Sequence, residues 1–529
     1  MGNYLNPGNK GFQKILQSEY VDKTGLIALI NKSIGTMEML TCISRPRRFG
    51  KSYAAKMLCA YYDCSCDSHA LFDDKEIARS QGYLTHLNQY HVINLDITGF
   101  ISEASKMNLA LFDVPNMIAD AICLELTESY PELAGKSLTN AMTACVEKSG
   151  KEFIFIIDEW DALIREAKGD TAVQRKYLNF LRGWFKNSNF TPNVVAAAYM
   201  TGILPIKKDG SQSAISDFYE YPILEPDGFA RFTGFTEEEV ERLCGIYGMR
   251  FEDARKWYDG YDFPDVKAIY NPYSVMMAMR KRKFDSYWQK TSAAESLMTY
   301  INMDFEGLQE TISLLISGEE VAVDTGSFEN DFETFKSRDD VLTLLIHLGY
   351  LTWNEEERTA HIPNEEVRIE FRKILKGTGV NRKWAELLGR SHKLLEDTLA
   401  GNGDAVANAI EEIRGTQYAP TFYNNEQALR YVIKFAYIAA IDQYLKVEEL
   451  PSGKGIADVV YLPKHRSLLP ALVVELKWNR SSGGAIHQIM ERDYPAMLAD
   501  YGGEIVLVGI NYDAKQKTHN CVIERIPEP

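Results

Sequence analysis

Unbroken apolar runs recur through the first half of the chain, each followed by residues at helical spacing. Met37–Ser44 (MEMLTCIS), His91–Thr98 (HVINLDIT), Phe153–Ile157 (FIFII) and Val194–Met200 (VVAAAYM) read as strands. An apolar run without alternation suits a strand covered on both faces. A helix is expected from about Ser52 to Asp63, with Ala55, Leu58 and Tyr62 on one face. Strands alternating with helices predict a parallel α/β sheet.

From about Phe232 the pattern turns helical. GFTEEEVERLC carries a capping box, Thr236 with Glu239 three residues on. Trp257–Tyr273 reads as a turn-rich aromatic link. Over 335–375 the order is helix, charged turn, short strand and helix, the outline of a small winged-helix unit. A helical stretch over 383–413 leads to Gly415, and a further helix is expected near 424–445. Then come strand, turn, strand, helix and a last strand, EIVLVGI. The reading is therefore an α/β protein in four parts. Residues 1–228 form a parallel-sheet domain and 229–300 a helical lid. Residues 301–400 form a winged-helix-like connector, and 401–529 an α/β domain.

Composition narrows this only a little. A chain of 529 residues needs two to four cores, and 45% hydrophobic content lets each be filled. A net charge of −16 argues against a nucleic-acid coat protein, which would be basic. No run of eighteen apolar residues appears, so no membrane partner is expected. The start lacks a secretory apolar segment, and the eight cysteines are scattered. Cys64 and Cys66, with His69 nearby, lack the second ligand pair that zinc needs. A cytoplasmic protein with reduced thiols is the expectation.

Chemistry enters with SRPRRFGKS at 44–52. Between a strand and a helix, a Gly-Lys-Ser loop offers consecutive N–H groups to a phosphate. Lys51 would reach the β- and γ-phosphates, and the Ser52 hydroxyl would ligand Mg²⁺. The first glycine of such a loop is replaced by Arg45. With Arg47 and Arg48 it adds positive charge beside the phosphates, or faces the acidic turn after the third strand. That turn follows FIFIIDEWD, where Asp158 would hold magnesium and Glu159 would polarise the attacking water. Nucleotide contacts are therefore expected from Arg47, Arg48, Phe49, Gly50, Lys51, Ser52 and Asp158.

The tail carries a second constellation. Asp458 opens one strand, and Glu475 and Lys477 share a face of the next. A hairpin would set Asp458 beside Glu475, two hard carboxylates suited to Mg²⁺ or Mn²⁺. Metal there would activate water against a phosphodiester, with Lys477 steadying the charge. Glu426, from a helix upstream, could add a third carboxylate. Gln488 and Tyr494, on or near the helix downstream, could reach the same pocket.

These stretches, with EYVDKTGLIALI, TGILPI, YDGYDF, YNPYS, LGYLTW and HQIMERDYP, resemble a bacterial AAA-ATPase-like family ending in a PD-(D/E)XK nuclease domain. The resemblance spans nearly the whole chain, makes the missing glycine a family trait, and implies a P-loop AAA-ATPase-like domain over 1–228 and an α/β domain of restriction-endonuclease type over 401–529. It implies nucleotide roles for Lys51, Ser52, Asp158 and Glu159, with Thr201 sensing the γ-phosphate. It implies nuclease roles for Glu426, Asp458, Glu475 and Lys477, with Gln488 in support. Pro205 stands where an arginine is expected, and VDKT at 21–24 would pack near the adenine.

The expected function is ATP binding and hydrolysis coupled to nucleic-acid cleavage, DNA ahead of RNA, in a monomer or homo-oligomer. Phage or mobile-element defence and DNA processing are the settings that fit. Two rivals remain: a nucleotide-switched binding protein, and an ATPase that remodels a protein partner.

Overall fold

A computed structural model describes residues 2–206, 215–263, 266–288, 297, 299–301, 303, 305–330, 334–376, 382–417, 429–430, 432–433, 436–452, 455–464, 469–491 and 503–526. The chain divides into two compact units. Residues 1–291 with 322–370 make the first, and 292–321 with 371–529 the second.

The first unit is built on β1 (Leu40–Ser44), β2 (His91–Asp96), β3 (Phe153–Asp158), β4 (Val195–Gly202) and β5 (Tyr219–Tyr221). They form one sheet in the order β2-β3-β4-β1-β5, and every pairing is parallel. Side chains alternate along β3, and both faces are buried. Phe153, Phe155 and Ile157 join one core with Cys42 and Met200. Ile154 and Ile156 join the other with Ile43 and Tyr199. That is why the sequence shows a run and not an alternation. All five strands point one way, so the loops leaving β1, β3 and β4 gather at one edge of the sheet.

The helix expected after β1 is α1, Lys51–Tyr62. The run at His91 ends as a strand at Asp96, and a helix starts at Ile97 with the Asp96 side chain as its cap. The short strand β5 carried no expectation. The helix Glu237–Tyr247 opens on the Thr236–Glu239 capping box. Glu239 also accepts from Lys23 Nζ, at 2.8 and 2.6 Å, so that lysine of the VDKT stretch is tied to a helix start.

The aromatic link is held at close range. Gly260 has φ +112, and a Cβ there would lie 2.2 Å from the Pro363 carbonyl oxygen, so only glycine fits. Tyr261 donates its hydroxyl to Gly349 O at 2.6 Å. Beyond it come a helix, Arg338–His347, and an antiparallel hairpin of Thr352–Asn354 with Thr359–His361. Then α2 begins, Glu365–Lys376. The sequence reading had a single strand here; the hairpin has two.

The second unit has helices Arg382–Ala400 and Gly403–Gln417 where one stretch was expected. The break falls at Gly401, φ +78, and Gly415 lies inside the second helix. The sheet has β6 (Tyr444–Ser452), β7 (Gly455–Pro463), β8 (Ala471–Trp478), β9 (Ile505–Asp513) and β10 (Thr518–Ile526). Neighbours follow chain order. β6, β7 and β8 are antiparallel, β9 runs parallel to β8, and β10 returns antiparallel. The crossover between β8 and β9 contains α3, Ser482–Glu491, which sits so close that a Cβ at Gly509 would lie 2.5 Å from Ser482 O. β6 and β10 were not foreseen, and EIVLVGI is not the last strand.

Within the first unit, Glu366 Oε1 accepts from the N–H groups of Tyr287 at 2.6 Å and Trp288 at 2.7 Å. Burial pushes its carboxyl up to about 7 from 4.5, Glu370 adds to the rise, and hydrogen bonds from Ser274, Tyr287 and Trp288 oppose it. The folded state thus keeps a proton that the unfolded chain has lost between these values. Stability of this unit falls as pH rises through that window, by about 1.4 kcal/mol for each pH unit crossed. Glu366→Gln retains the acceptor oxygen without the titration. The thermal midpoint of this unit's transition should lose most of its decline from about pH 5 to about pH 7 in that variant. An unaltered decline would contradict the assignment.

Candidate functional site

β1 ends at Ser44 and α1 begins at Lys51, leaving six residues to turn the chain. Gly50 caps the helix at φ +88 with open space around it, and Arg48 is also left-handed at φ +71. The turn brings the first amides of a twelve-residue helix to the sheet edge, a favourable seat for an anion. Lys51 is buried there. Its Nζ donates to Arg45 O and Pro46 O, both at 3.0 Å, and lies 3.6 Å from Glu159 Oε1.

Arg45 is wholly buried and turned into the structure, away from the role first considered for it. Its Nε donates to Thr233 Oγ1 at 2.9 Å. Its Nη1 donates to Ser44 O at 2.8 Å and Tyr221 O at 2.6 Å. Burial pulls this guanidinium down to about 10, against a smaller opposing effect from Tyr199. Where a glycine would make the bend, an arginine fastens it to β5 and to Thr233.

The other loop residues divide. Arg47 is exposed, and its charge helps to lower the carboxyl of Glu159. Arg48 donates to Tyr287 O at 2.7 Å and Trp288 O at 2.8 Å, and stacks 4.3 Å over the ring of Tyr273. Phe49 is buried edge-on against Tyr261, centroids 5.2 Å apart. Ser52 is exposed on the first turn of α1.

β4 lies between β1 and β3. Its Thr201 pairs with Ile43 of β1, while Met200 pairs with Ile157 of β3. Thr201 Oγ1 donates to Asp158 Oδ1 at 2.5 Å, so the residue expected to sense phosphate meets the residue expected to hold magnesium. Glu159 follows at φ +52, an uncommon conformation for a non-glycine residue. Its Oε2 accepts from Arg165 Nη2 at 2.5 Å. Burial raises this carboxyl, but Lys51, Arg165 and Arg47 together bring it below its ordinary value.

Two residues of this edge had no assigned role. Asp161 Oδ2 accepts from Ile203 N at 3.1 Å and Leu204 N at 3.2 Å, joining the turn after β3 to the end of β4. Burial raises its carboxyl and Arg165 counters it. Arg165 Nε lies 3.2 Å from Asp161 Oδ2. The available signal was the last acid of DEWD, Asp161, with a base four residues on.

In the second unit, Val459 pairs with Val474, which sets Asp458 across from Glu475. Asp458 Oδ2 accepts from Leu476 N at 2.9 Å, and Glu475 Oε1 from Lys477 Nζ at 3.0 Å. All three side chains are buried. Sequence reasoning missed Arg430, whose Nη2 donates to Asp458 Oδ1 at 2.6 Å. It stands four residues after Glu426 in NNEQALR, a spacing that offered a hint. Glu426, Tyr494 and the side chain of Gln488 lie outside the described residues.

Mg²⁺ takes one or two protein oxygens and completes its shell with water and substrate phosphates. Ser52 with Asp158, and separately Asp458 with Glu475, offer hard oxygens of that kind. No group of three or more His, Cys, Asp or Glu forms a cation cage among the described residues. In the second site a cation would have to take Asp458 from Arg430.

Residues 8–211 match the model of a family described as predicted AAA-ATPase. The matched segment takes in the phosphate loop, Asp158, Glu159 and Thr201, and stops before β5. The whole chain is similar to a protein of Azotobacter chroococcum mcd 1 described as an uncharacterized protein in the vnfD 5′ region. Identity is 23%, over 97% of this chain and 96% of the other. Among solved structures, the Aeropyrum pernix ORC2 protein in ADPNP–ADP complexes aligns with 68% of this chain and 96% of its own. Its TM-score is 0.27 and its identity 10%. The Aeropyrum pernix ORC1 protein in complex with DNA gives a TM-score of 0.24 at 9% identity, over 71% and 97%. Scores this low leave the fold to rest on the chain itself. Among the described residues, no helix is long and apolar enough to cross a membrane.

Arg45→Met tests the fastening role. Leaving Tyr221 O and Ser44 O without their donor should cost roughly 1–3 kcal/mol of stability, read as a lower melting temperature, with ATP affinity unchanged. A folded variant whose ATP affinity drops more than about tenfold would return Arg45 to the phosphates.

Proposed function

We propose that the first unit binds and hydrolyses ATP with Mg²⁺ at the edge of β1, β3 and β4, and that the second unit carries a metal-dependent nuclease site acting on DNA in preference to RNA. The observation carrying the first half is the convergence on Lys51. Its ammonium lies on the loop carbonyls and beside Glu159, one strand away from the Asp158–Thr201 pair, inside the segment that matches the AAA-ATPases.

The steps belong to the chain's own groups. Lys51 exchanges the carbonyls of Arg45 and Pro46 for phosphate oxygens, and the helix amides take the remaining charge. Thr201 steadies Asp158, and Glu159 orients the attacking water and accepts its proton. Ser52 and Asp158 would hold Mg²⁺, which would supply neutralisation of the phosphate charge. Arg47 points its charge toward the same mouth, whereas Arg48 acts through its hold on residues 287–288.

In the second unit, support comes from two carboxylates on adjacent strands with a lysine on the same face, β8 continuing through α3 into parallel β9. Glu426 and Gln488 complete this proposal as a further carboxylate and a polar contact. Bound Mg²⁺ or Mn²⁺ would supply a hydroxide and charge neutralisation. Asp458 and Glu475 would hold it, and Lys477 would stabilise the phosphodiester.

One observation favours the rival tail that binds without cutting: Arg430 and Lys477 already balance both carboxylates. The deciding assay offers DNA and RNA with Mg²⁺ or Mn²⁺, with and without ATP, to wild type, Asp458→Asn and Glu475→Gln. The nuclease reading expects metal-dependent cleavage by wild type, falling to background in both variants while ATP hydrolysis persists. Wild type that hydrolyses ATP and cuts no substrate would hand the tail to the binding reading.

A further inference from the structure

We infer that Arg165 is a positioning residue for ATP hydrolysis: it fixes one oxygen of Glu159 so that the other faces the reacting phosphate once Lys51 moves. The inference rests on the ATPase reading above.

The geometry runs as a chain of fixed points. The backbone amides of Ile203 and Leu204, at the end of β4, hold Asp161 Oδ2 at 3.1 and 3.2 Å. The guanidinium of Arg165 lies against that carboxylate, Nε 3.2 Å from the same oxygen. Its Nη2 then holds Glu159 Oε2 at 2.5 Å. Arg165 therefore stands between two acids, hydrogen-bonded to Glu159 through Nη2 and ion-paired to Asp161 through Nε without hydrogen-bond alignment, its side chain only 15% exposed. A planar guanidinium suits this where a lysine would not, because its donors leave in fixed directions.

Glu159 needs such a hold. It stands just past the end of β3 at φ +52, beyond the ladder that orients its neighbours. A glutamate there has three side-chain torsions to settle, and catalysis needs the carboxylate within hydrogen-bond reach of the water it activates. With Oε2 fixed, Oε1 is the oxygen near Lys51, at 3.6 Å. Phosphate recruits Lys51, and Oε1 becomes the free acceptor. The balance is simple: Oε1 takes a proton from water, the water oxygen bonds to the γ-phosphorus, and the bond from phosphorus to the β–γ bridging oxygen breaks, releasing ADP.

The experiment measures Mg·ATP affinity by titration, together with kcat and KM, for wild type, Arg165→Gln and Arg165→Lys. Arg165→Gln should bind ATP like wild type while kcat drops about 10- to 100-fold. Arg165→Lys retains charge without the planar guanidinium, so it should bind ATP like wild type while kcat is intermediate. It carries the test if the glutamine variant does not fold. Active wild type with kcat unchanged in the variants would overturn this inference alone. Equal losses of affinity and kcat would reduce Arg165 to a structural brace. Wild type that binds Mg·ATP without hydrolysing it would overturn both this inference and the reading beneath it.

Discussion

A buried ammonium needs oxygen around it, and the edge of the first sheet is organised around that need of Lys51. The loop carbonyls of Arg45 and Pro46 turn inward to meet it. They can do so because the loop is bent at Gly50 and fastened from below. Glu159 approaches from β3 because the turn after that strand folds back onto β4 through Asp161. A desolvated charge is costly without partners, so each of these contacts constrains the others. They are also exchangeable: phosphate oxygens can replace carbonyl oxygens without leaving the charge exposed.

The three arginines of the loop have separate duties. Arg45 secures the bend to Tyr221 and Thr233, and Arg48 grips the carbonyls of residues 287 and 288. Glu366 holds the N–H groups of those same two residues. The phosphate loop and α2 thus grasp one short stretch of backbone from its two sides. A shift of the loop on nucleotide binding would pull on that stretch. In the second unit the logic is one of charge balance. Two carboxylates on neighbouring strands are matched by Arg430 and Lys477, and that balance is what a bound cation would have to disturb.

How much of this was legible in sequence follows from burial. β1 to β4 could be read because both faces are covered, which leaves unbroken apolar runs such as FIFII. β2 is itself an edge strand but keeps an apolar run, whereas β5, β6 and β10, at the other sheet edges, were missed. There one side of the ladder has no strand partner, and polar residues such as Lys446, Glu448 and Arg525 are admitted. Asp158 and Glu159 were legible because acids ending an apolar strand stand out. Asp161 passed as more of the same acidic turn. Arg430 reaches Asp458 across 28 positions, and a pairing at that distance leaves no periodic mark. Arg45 and Arg48 were read as phosphate neighbours by charge alone. A guanidinium offers five donors, and nearby backbone carbonyls are competing acceptors that a sequence does not display.

The central claim, that this edge is a nucleotide site assembled on Lys51, is tested most directly by calorimetric titration of Mg·ATP into wild type and Lys51→Ala. The account predicts saturable binding to wild type and none to a Lys51→Ala protein whose circular dichroism is native. Equal affinity in the two proteins would contradict it.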